Sequence, residues 1–204
     1  MDYLCAYVWQ QEESGSSLVL KHLVFHQGKM SVVLGCLAQG EEKVDFFVES
    51  VTDWFHEHGI GAFQREEGIK EFEVFWQKQL ARKAEELEGV AILLCVGENF
   101  IILAKGNIKI WLLNNRFGRG HHRELSSQMG QANGLICKGS LESGIGILIA
   151  DEVFFKGLSE QEIMDCLNPE ILKEQVKVQK HLSEVAQVAG KSGKHPAAML
   201  IVTC

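Results

Sequence analysis

The sequence is poor in aspartate, in proline and in long apolar runs. Only five of its 27 acidic residues are aspartate, and the 204 residues include two prolines. No apolar segment approaches the length of about 18 residues that a membrane helix needs, and residues 1–10 lack the basic start and cleavage-site pattern of a secretion signal. The protein is therefore predicted to be soluble and cytoplasmic, with no membrane partner.

The six cysteines are widely separated, and the sequence has no Cys-x-x-Cys pair that would begin a zinc or redox site. Several lie in apolar segments such as LLCV and GLIC, where a thiol behaves as a small hydrophobic group. These cysteines are predicted to be buried, reduced thiols.

The composition is that of one acidic globular domain. Hydrophobic residues make up 46% of the chain, and the formal net charge is −7. A chain of this length buries most of its apolar surface in a single core, and no linker or repeat divides it, so residues 1–204 are predicted to form one domain. The excess of acid argues against binding to a phosphate backbone, and nucleic acid is not expected as a partner.

Hydrophobic periodicity predicts two strands and then two helices in the first part of the chain. The apolar runs Leu18–Phe25 and Met30–Leu37 flank a turn that contains glycine, which is typical of a β-hairpin. Apolar residues recur at three- and four-residue steps from Glu41 to His58 and from Glu66 to Glu88. This spacing predicts two helices that each bury one face.

The rest of the chain is predicted to form about five strands, two helices and a final strand. The five strands are expected at Val90–Val96, Phe100–Lys105, Ile108–Leu113, Gly134–Cys137 and Gly144–Ala150. Ser159 followed by Glu162 is a capping-box pattern at the start of a helix. Asn168–Pro169 predicts the start of the next helix, which runs to Gly190. The apolar run Ala198–Cys204 predicts the last strand.

The order of these elements defines the expected fold class. Consecutive strands joined by short links pair mostly antiparallel, and the helices then cover the outer faces of the sheets. We therefore expect an α+β fold, a four-layer α-β-β-α sandwich with two mostly antiparallel sheets.

Four stretches, taken in order, resemble motifs of the metal-dependent Ser/Thr protein phosphatases, the PPM or type 2C family. VVLGCLAQGEE (Val32–Glu42) lies where the family has AVxDGMGGHxx, and GNIKIWLL (Gly106–Leu113) resembles its GDSR-(Ile/Ala)-Tyr-Leu strand. ILIADEVFFKGLSEQEI (Ile147–Ile163) is similar to LLLxSDGLxxxLSxxEI, and HPAAMLIV (His195–Val202) lies where the family has DN(A/I)TVIVV. The resemblance extends over essentially the whole chain and implies the PPM fold.

The resemblance also implies a pair of divalent cations, Mn²⁺ or Mg²⁺, which activate a water molecule for attack on a phosphomonoester. Most of the family's metal-binding aspartates are missing here. The DG pair falls on Gly35 and Cys36. The Asp of GDSR falls on Asn107 and the Asp of DN on His195. Only the Asp of SDG is retained, as Asp151.

Near the N-terminus the family carries Arg-x-x-Asn-Glu-Asp, and its Arg holds the substrate phosphate. The nearest equivalent in this sequence is Gln11–Ser14, which places Glu12 and Glu13 at the two acidic positions and Val8 at the Arg position. The phosphate-binding Arg is therefore predicted to be absent as well.

These losses predict a catalytically impaired member of the family, a pseudophosphatase that needs no metal and binds a protein such as a kinase or a phosphoprotein. Each carboxylate about 4 Å from a cation contributes on the order of 4 kcal/mol at an effective dielectric constant near 20, so two lost carboxylates weaken metal binding greatly. The alternative is a divergent phosphatase in which Asp151, His195 and Glu13 hold a reduced Mn²⁺ or Mg²⁺ site. Under the first hypothesis Asp151 is a remnant and His195 a solvated loop residue.

The segment RFGRGHHR (Arg116–Arg123) concentrates positive charge in an acidic chain. Arg116, Arg119 and Arg123 form a candidate anion site, because guanidinium groups match the geometry of phosphate oxygens. The other interpretation is a flexible, solvated hairpin loop. His121 and His122 are adjacent and would point to opposite faces of a strand, so they are poor joint metal ligands.

Overall fold

The computed structural model of the chain describes residues 3–8, 18–27, 30–39, 41–83, 89–116, 118–126, 135–191 and 196–204. These residues form ten strands and four α-helices. The strands are β1 (Tyr3–Val8), β2 (Leu18–Gln27), β3 (Met30–Gln39), β4 (Gly89–Val96), β5 (Asn99–Gly106), β6 (Ile108–Arg116), β7 (Arg119–Glu124), β8 (Leu135–Ser140), β9 (Gly146–Asp151) and β10 (Ala198–Thr203). The helices are α1 (Glu41–His58), α2 (Glu66–Lys83), α3 (Glu160–Cys166) and α4 (Gln175–Gly190), with a short 3-10 helix at Ile60–Gln64.

The strands form two five-stranded sheets. Sheet A has the order β1-β10-β9-β6-β7, and sheet B has the order β2-β3-β4-β5-β8. Neighbouring strands are antiparallel in both sheets, as the short links predict. In sheet A, β1 pairs with β10 in the register Tyr3 to Thr203, so strands far apart in the sequence lie side by side.

Three apolar layers separate four layers of structure, which confirms the predicted α-β-β-α sandwich. The first layer packs α1 and α2 on sheet B, the second packs the two sheets together, and the third packs α3 and α4 on sheet A. Strand β9 shows the alternation that this arrangement requires. Its Ile147 and Ile149 belong to the layer between the sheets, whereas Leu148 and Ala150 belong to the layer under α3 and α4.

Helix α3 begins as its sequence predicts. The backbone N–H of Glu162 donates to Ser159 Oγ at 3.3 Å, and the backbone N–H of Ser159 donates to Glu162 Oε2 at 2.7 Å. Both bonds of a capping box are therefore present, and they satisfy amide groups that have no partner within the helix.

The predicted start of α4 is wrong. The helix begins at Gln175 rather than at Asn168–Pro169. The side chain of Asn168 instead accepts a bond from the backbone N–H of Glu170 at 3.0 Å and one from Asn115 Nδ2 at 3.1 Å. Asn168 therefore caps a single turn, in which the N–H of Ile171 donates to the Asn168 carbonyl at 3.1 Å, and no helix continues from this turn before Gln175. Helix α2 is described to Lys83, and the predicted residues 84–88 lie outside the described ranges.

Two strands were not predicted. Strand β1 lies in the N-terminal segment where no element was expected, and β7 replaces the solvated loop expected within RFGRGHHR. Strand β7 pairs with β6 in an antiparallel register, with Arg119 opposite Arg116 at one end and Glu124 opposite Trp111 at the other. The turn between them contains Gly118 with a φ of 76°, a conformation that favours glycine.

Among the described helices, none is both long enough and apolar enough to cross a membrane.

Candidate functional site

Asp151, the last residue of β9, is the one retained carboxylate of the motifs described above. Its Oδ1 accepts a hydrogen bond from the backbone N–H of Phe154 at 2.9 Å, and its Oδ2 accepts one from the backbone N–H of Ala197 at 3.0 Å. The backbone N–H of Asp151 in turn donates to the Ala197 carbonyl at 3.0 Å. The carboxylate therefore joins the end of β9 to the turn that follows it and to the chain entering β10.

Burial raises the pKa of Asp151 above its ordinary value. Hydrogen bonds from the backbone of Phe154, Ala197 and Val153 and the charge of Lys156 act in the opposite direction, but burial outweighs them. Desolvation disfavours the ionised form, while the amide donors favour it. This carboxylate is therefore a structural acceptor that is held partly away from water.

Asn107 lies close to Asp151, in the turn that leads into the neighbouring strand β6. It precedes Ile108, and Ile108 is the residue directly opposite Asp151 in the pairing of β6 with β9. Its side chain is exposed at the turn between β5 and β6. Lys109, which stands where the family's GDSR motif has Arg, directs its Nζ over the ring of Phe155 at 5.2 Å from the centroid. The structure thus places two of the candidate positions at one edge of sheet A.

Gly35 and Cys36 are inside β3 and not at its end. Gly35 is paired with His22 on one side and Leu93 on the other, and Cys36 with Lys21 and Ile92. The strand continues for four more residues to Gln39 before α1 begins, which is about 13 Å of extended chain. Leu93 belongs to the apolar layer between the sheets, so position 35 lies opposite a buried apolar residue.

Glu13 and His195 lie outside the described residues, so their proposed part in a metal site stays a prediction. Ala197, two residues after His195, is the donor to Asp151 noted above. Glu152 is exposed in the turn after β9. Within the described ranges, no three or more His, Cys, Asp or Glu side chains are grouped so that they could hold a metal ion.

The described donors do not fit the pair of cations that the resemblance implies. They supply one carboxylate, and each of its oxygens already accepts an amide hydrogen bond. The neighbouring Asn107 offers a neutral oxygen, and position 35 offers no side chain. Two hard dications need several carboxylate oxygens, which these positions do not provide.

The three arginines of the candidate anion site are on the β6–β7 hairpin. Arg116 is opposite Arg119, and Arg123 is opposite Leu112. Arg119 and Arg123 are exposed. They are four residues apart in the strand, so they lie on the same face of β7 with their Cα atoms about 13 Å apart. Two extended arginine side chains on one face can converge across that distance, so a joint anion site at Arg119 and Arg123 stays a prediction.

The two histidines of the same hairpin point to opposite faces, as the strand geometry predicts. His121 is exposed, whereas His122 is half-buried and stacks on Trp111 with ring centroids 4.0 Å apart. His122 Nε2 lies 3.6 Å from Glu160 Oε2 on α3. His122 therefore lies between the hairpin and helix α3. Because His121 and His122 point to opposite faces, they do not form a joint metal site.

A concave region that the sequence analysis did not predict lies between α1 and α2. It has a volume of about 820 Å³ and is lined by side chains from both helices. The signal in the sequence is that its lining residues recur at three- and four-residue steps beside the buried face of each helix.

The fold is that of the PPM-type Ser/Thr phosphatases. The serine/threonine phosphatase of S. agalactiae is similar to this chain with a TM-score of 0.65 at 14% identity, and the match covers 100% of both chains. Stp1 from Staphylococcus aureus gives a TM-score of 0.61 at 12% identity over 100% of this chain and 96% of that one. The catalytic domain of PstP in complex with two manganese ions gives 0.53 at 13% identity over 98% and 96%.

These similarities concern the fold and confirm the architecture expected from the four motifs. No family model matches the sequence. A search of curated proteins also finds no match.

Proposed function

We propose that this chain is a pseudophosphatase, a phosphatase-like domain that acts as a binding or regulatory module in phosphoprotein signalling and does not hydrolyse phosphomonoesters. Its partner under this proposal is a protein such as a kinase or a phosphoprotein. The observation that carries the proposal is the bonding of Asp151, whose two oxygens accept backbone amide hydrogen bonds. This structural role explains why an aspartate is present at position 151, although the other metal-binding aspartates of the family's motifs are missing from this chain.

The positions around Asp151 support the same proposal. Asn107 and Gly35 carry no charge, although the resemblance places metal-binding aspartates there. A cation about 4 Å from each missing carboxylate loses on the order of 4 kcal/mol per unit of its charge at an effective dielectric constant near 20. Two such losses correspond to many powers of ten in affinity, because each 1.4 kcal/mol is about a factor of ten.

A cytoplasmic location is part of the proposal. The cysteines that the structure describes as free are Cys5, Cys95, Cys137, Cys166 and Cys204. Thiols without disulfides are typical of a reducing compartment.

The test is to purify the full chain without chelator, to measure bound metal by elemental analysis, and to assay phosphomonoester hydrolysis with Mn²⁺ and with Mg²⁺. We expect metal far below one equivalent and no hydrolysis that depends on Asp151. Asp151→Asn is the test variant, and Asp165→Asn is the matched control because it makes the same change on the exposed face of α3.

The alternative enzyme predicts a different pattern. Hydrolysis that requires a divalent cation, survives Asp165→Asn and is abolished by Asp151→Asn would overturn the proposal. It would favour the divergent phosphatase in which Asp151, His195 and Glu13 hold one metal.

A further inference from the structure

The concave region between α1 and α2, called here the α1–α2 groove, is shaped to accept a helix. Its α1 wall is formed by Phe46, Ser50, Asp53, Trp54 and Glu57, and these positions repeat every three or four residues along one side of the helix. From Phe46 to His58 the wall is about 18 Å long at 1.5 Å per residue. That length matches about three turns of a second helix.

The floor of the groove is aromatic, and its Trp54 is buried with the His58 ring stacked on it, the ring centroids 4.5 Å apart. The ring of Trp54 packs edge-on against that of Phe72, with ring centroids 4.9 Å apart, and its centroid lies 6.5 Å from that of Phe75. Val74, at the rim, is 52% exposed, which is unusual for a large apolar side chain in this protein. Phe46 and Phe75 are only partly buried. An apolar stripe laid along the groove would cover these side chains and remove their remaining surface from water.

The walls of the groove carry an excess of negative charge. Asp53 and Glu57 stand on the α1 wall, and Glu71 stands on the α2 wall. Of the two lysines in the lining, Lys70 is already paired with Glu66, with Nζ 2.8 Å from Oε1. Lys78 is the remaining lysine of the lining. The lining therefore carries three carboxylates and two lysines, and one of these lysines is already paired with Glu66.

We infer that the α1–α2 groove is a docking site for a basic amphipathic helix of a partner protein. The apolar stripe of that helix lies on Phe46, Val74 and Phe75, and its lysine or arginine side chains meet Asp53, Glu57 and Glu71. This helix-in-groove mode uses anchors at three- and four-residue spacing, as the groove does. The inference rests on the proposed function for its biological purpose, since it names the class of partner that the binding module takes.

The test uses a helix-stabilised synthetic peptide of about 15 residues, long enough for about four helical turns. Its apolar face carries leucines at positions i, i+3, i+4 and i+7, and its flanks carry lysines. A second peptide has each lysine replaced by glutamate. Binding is measured by calorimetry at low and at high salt, and backbone amide exchange locates the bound peptide on the full-length protein.

Val74→Glu is the main variant, because Val74 is exposed and its replacement leaves the core intact. Val176→Glu is the matched control, since Val176 is an even more exposed valine on α4, on the opposite outer layer. We expect Val74→Glu to weaken binding of the basic peptide by at least about tenfold and Val176→Glu to leave it unchanged. Asp53→Lys with Glu57→Lys is expected to weaken binding similarly and to reduce its salt dependence.

Three results would overturn the inference. The first is that the basic peptide does not bind, or binds no better than the acidic one. The second is that binding is equally strong in the Val74→Glu protein or protects amides outside α1 and α2. The third is that Val74→Glu dissociates a self-associated wild-type protein, since the groove would then be covered by a second copy. Phosphatase activity is measured separately, so failure of peptide binding and failure of the proposed function give distinguishable results.

Discussion

The side-chain amide of Gln179 makes the two hydrogen bonds with Tyr7 that a neighbouring strand would make. The backbone N–H of Tyr7 donates to Gln179 Oε1 at 3.3 Å, and Gln179 Nε2 donates to the Tyr7 carbonyl at 2.9 Å. One helical turn earlier, Gln175 does the same for Cys5, accepting its N–H at 3.1 Å and donating to its carbonyl. Helix α4 thus covers the outer edge of β1, which is the edge strand of sheet A.

Replacing both glutamines, Gln175→Ala with Gln179→Ala, is expected to uncover the edge of β1. Unpaired backbone groups on an edge strand are a template for pairing with another chain, so we expect concentration-dependent self-association that exceeds that of the wild type. We also expect the free energy of unfolding to fall by about 1–3 kcal/mol, because several partly exposed hydrogen bonds are lost. Sedimentation velocity over a range of concentrations and urea unfolding measure the two effects.

The control for this change is Gln161→Ala on α3, where Nε2 bonds Asp165 within the same helix at 2.7 Å. It removes a glutamine from the surface without touching a strand edge. If the double variant sediments like the wild type at every concentration, the glutamines do not protect the edge.

Gly120→Ala is expected to destabilise the contact between β7 and α3. A Cβ atom at Gly120 would lie 2.5 Å from the Met164 carbonyl oxygen, closer than two such atoms can approach. Since this neighbour is a backbone atom, the strand or the helix must move, and we expect the free energy of unfolding to fall by about 1–3 kcal/mol. Thermal unfolding measures the loss, with Gly61→Ala as a control because a Cβ there meets nothing within 4 Å. Equal melting temperatures for the two variants would contradict this close approach.

The stability contributed by Asp151 is expected to decrease as the pH rises. Burial raises its pKa in the folded protein above the ordinary value of 3.8, so the folded state holds the proton more tightly than the unfolded chain. That contribution is complete below the ordinary pKa and is lost as the pH rises through the folded-state pKa. The free energy of unfolding of the wild type minus that of Asp151→Asn should therefore fall as the pH rises from below the ordinary pKa through the raised pKa of the folded state.

Urea unfolding of both proteins across this range gives the difference, and Asp165→Asn is again the matched control. An increase of the difference with pH would show that the amide donors outweigh burial. The carboxylate would then be stabilised in its ionised form.

Ser159→Ala is expected to lower the free energy of unfolding by about 1 kcal/mol, the usual value of a helix cap. The bonds from Ser159 lower the pKa of Glu162 below its ordinary value of 4.5, so the stabilisation from this carboxylate is present above that value and is lost as the pH falls through the folded-state pKa. The effect of Ser159→Ala should therefore be larger at neutral pH than in acid. Ser50→Ala, in the middle of α1, is the comparison, and an equal loss there would argue against a capping effect.

The fold followed from the sequence because its layers rest on periodicity. The apolar stripe of α1 that contains Val44, Phe47 and Val51 is buried. Alternate residues of β9 face the two apolar layers on either side of sheet A. The missed strand β7 has no such pattern, because Arg119, His121 and Arg123 are polar and the opposite face needs a glycine at position 120. Its structure depends on pairing with β6 and on contact with α3, neither of which is visible locally.

The candidate site was harder to predict than the fold. The alignment of motifs identified Asp151 and Asn107, and the structure places Asn107 immediately before Ile108, the residue of β6 that is opposite Asp151. It did not show that the Asp151 carboxylate bonds Phe154 and Ala197, because those contacts come from a turn and from the residue before β10, 46 positions away. Gly35 is predicted inside the strand Met30–Leu37 and lies inside β3, which continues to Gln39.

The pairing of β1 with β10 determines the order in which the two sheets can be completed during folding. In sheet B, β2 and β3 are adjacent in the sequence, as are β4 and β5, so local hairpins can form early. Sheet A must close a loop between Val8 and Ala198, which costs on the order of 5 kcal/mol of chain entropy before the contact gives any stability. During synthesis, β1 therefore cannot pair with β10 until residues 198–203 have emerged from the ribosome.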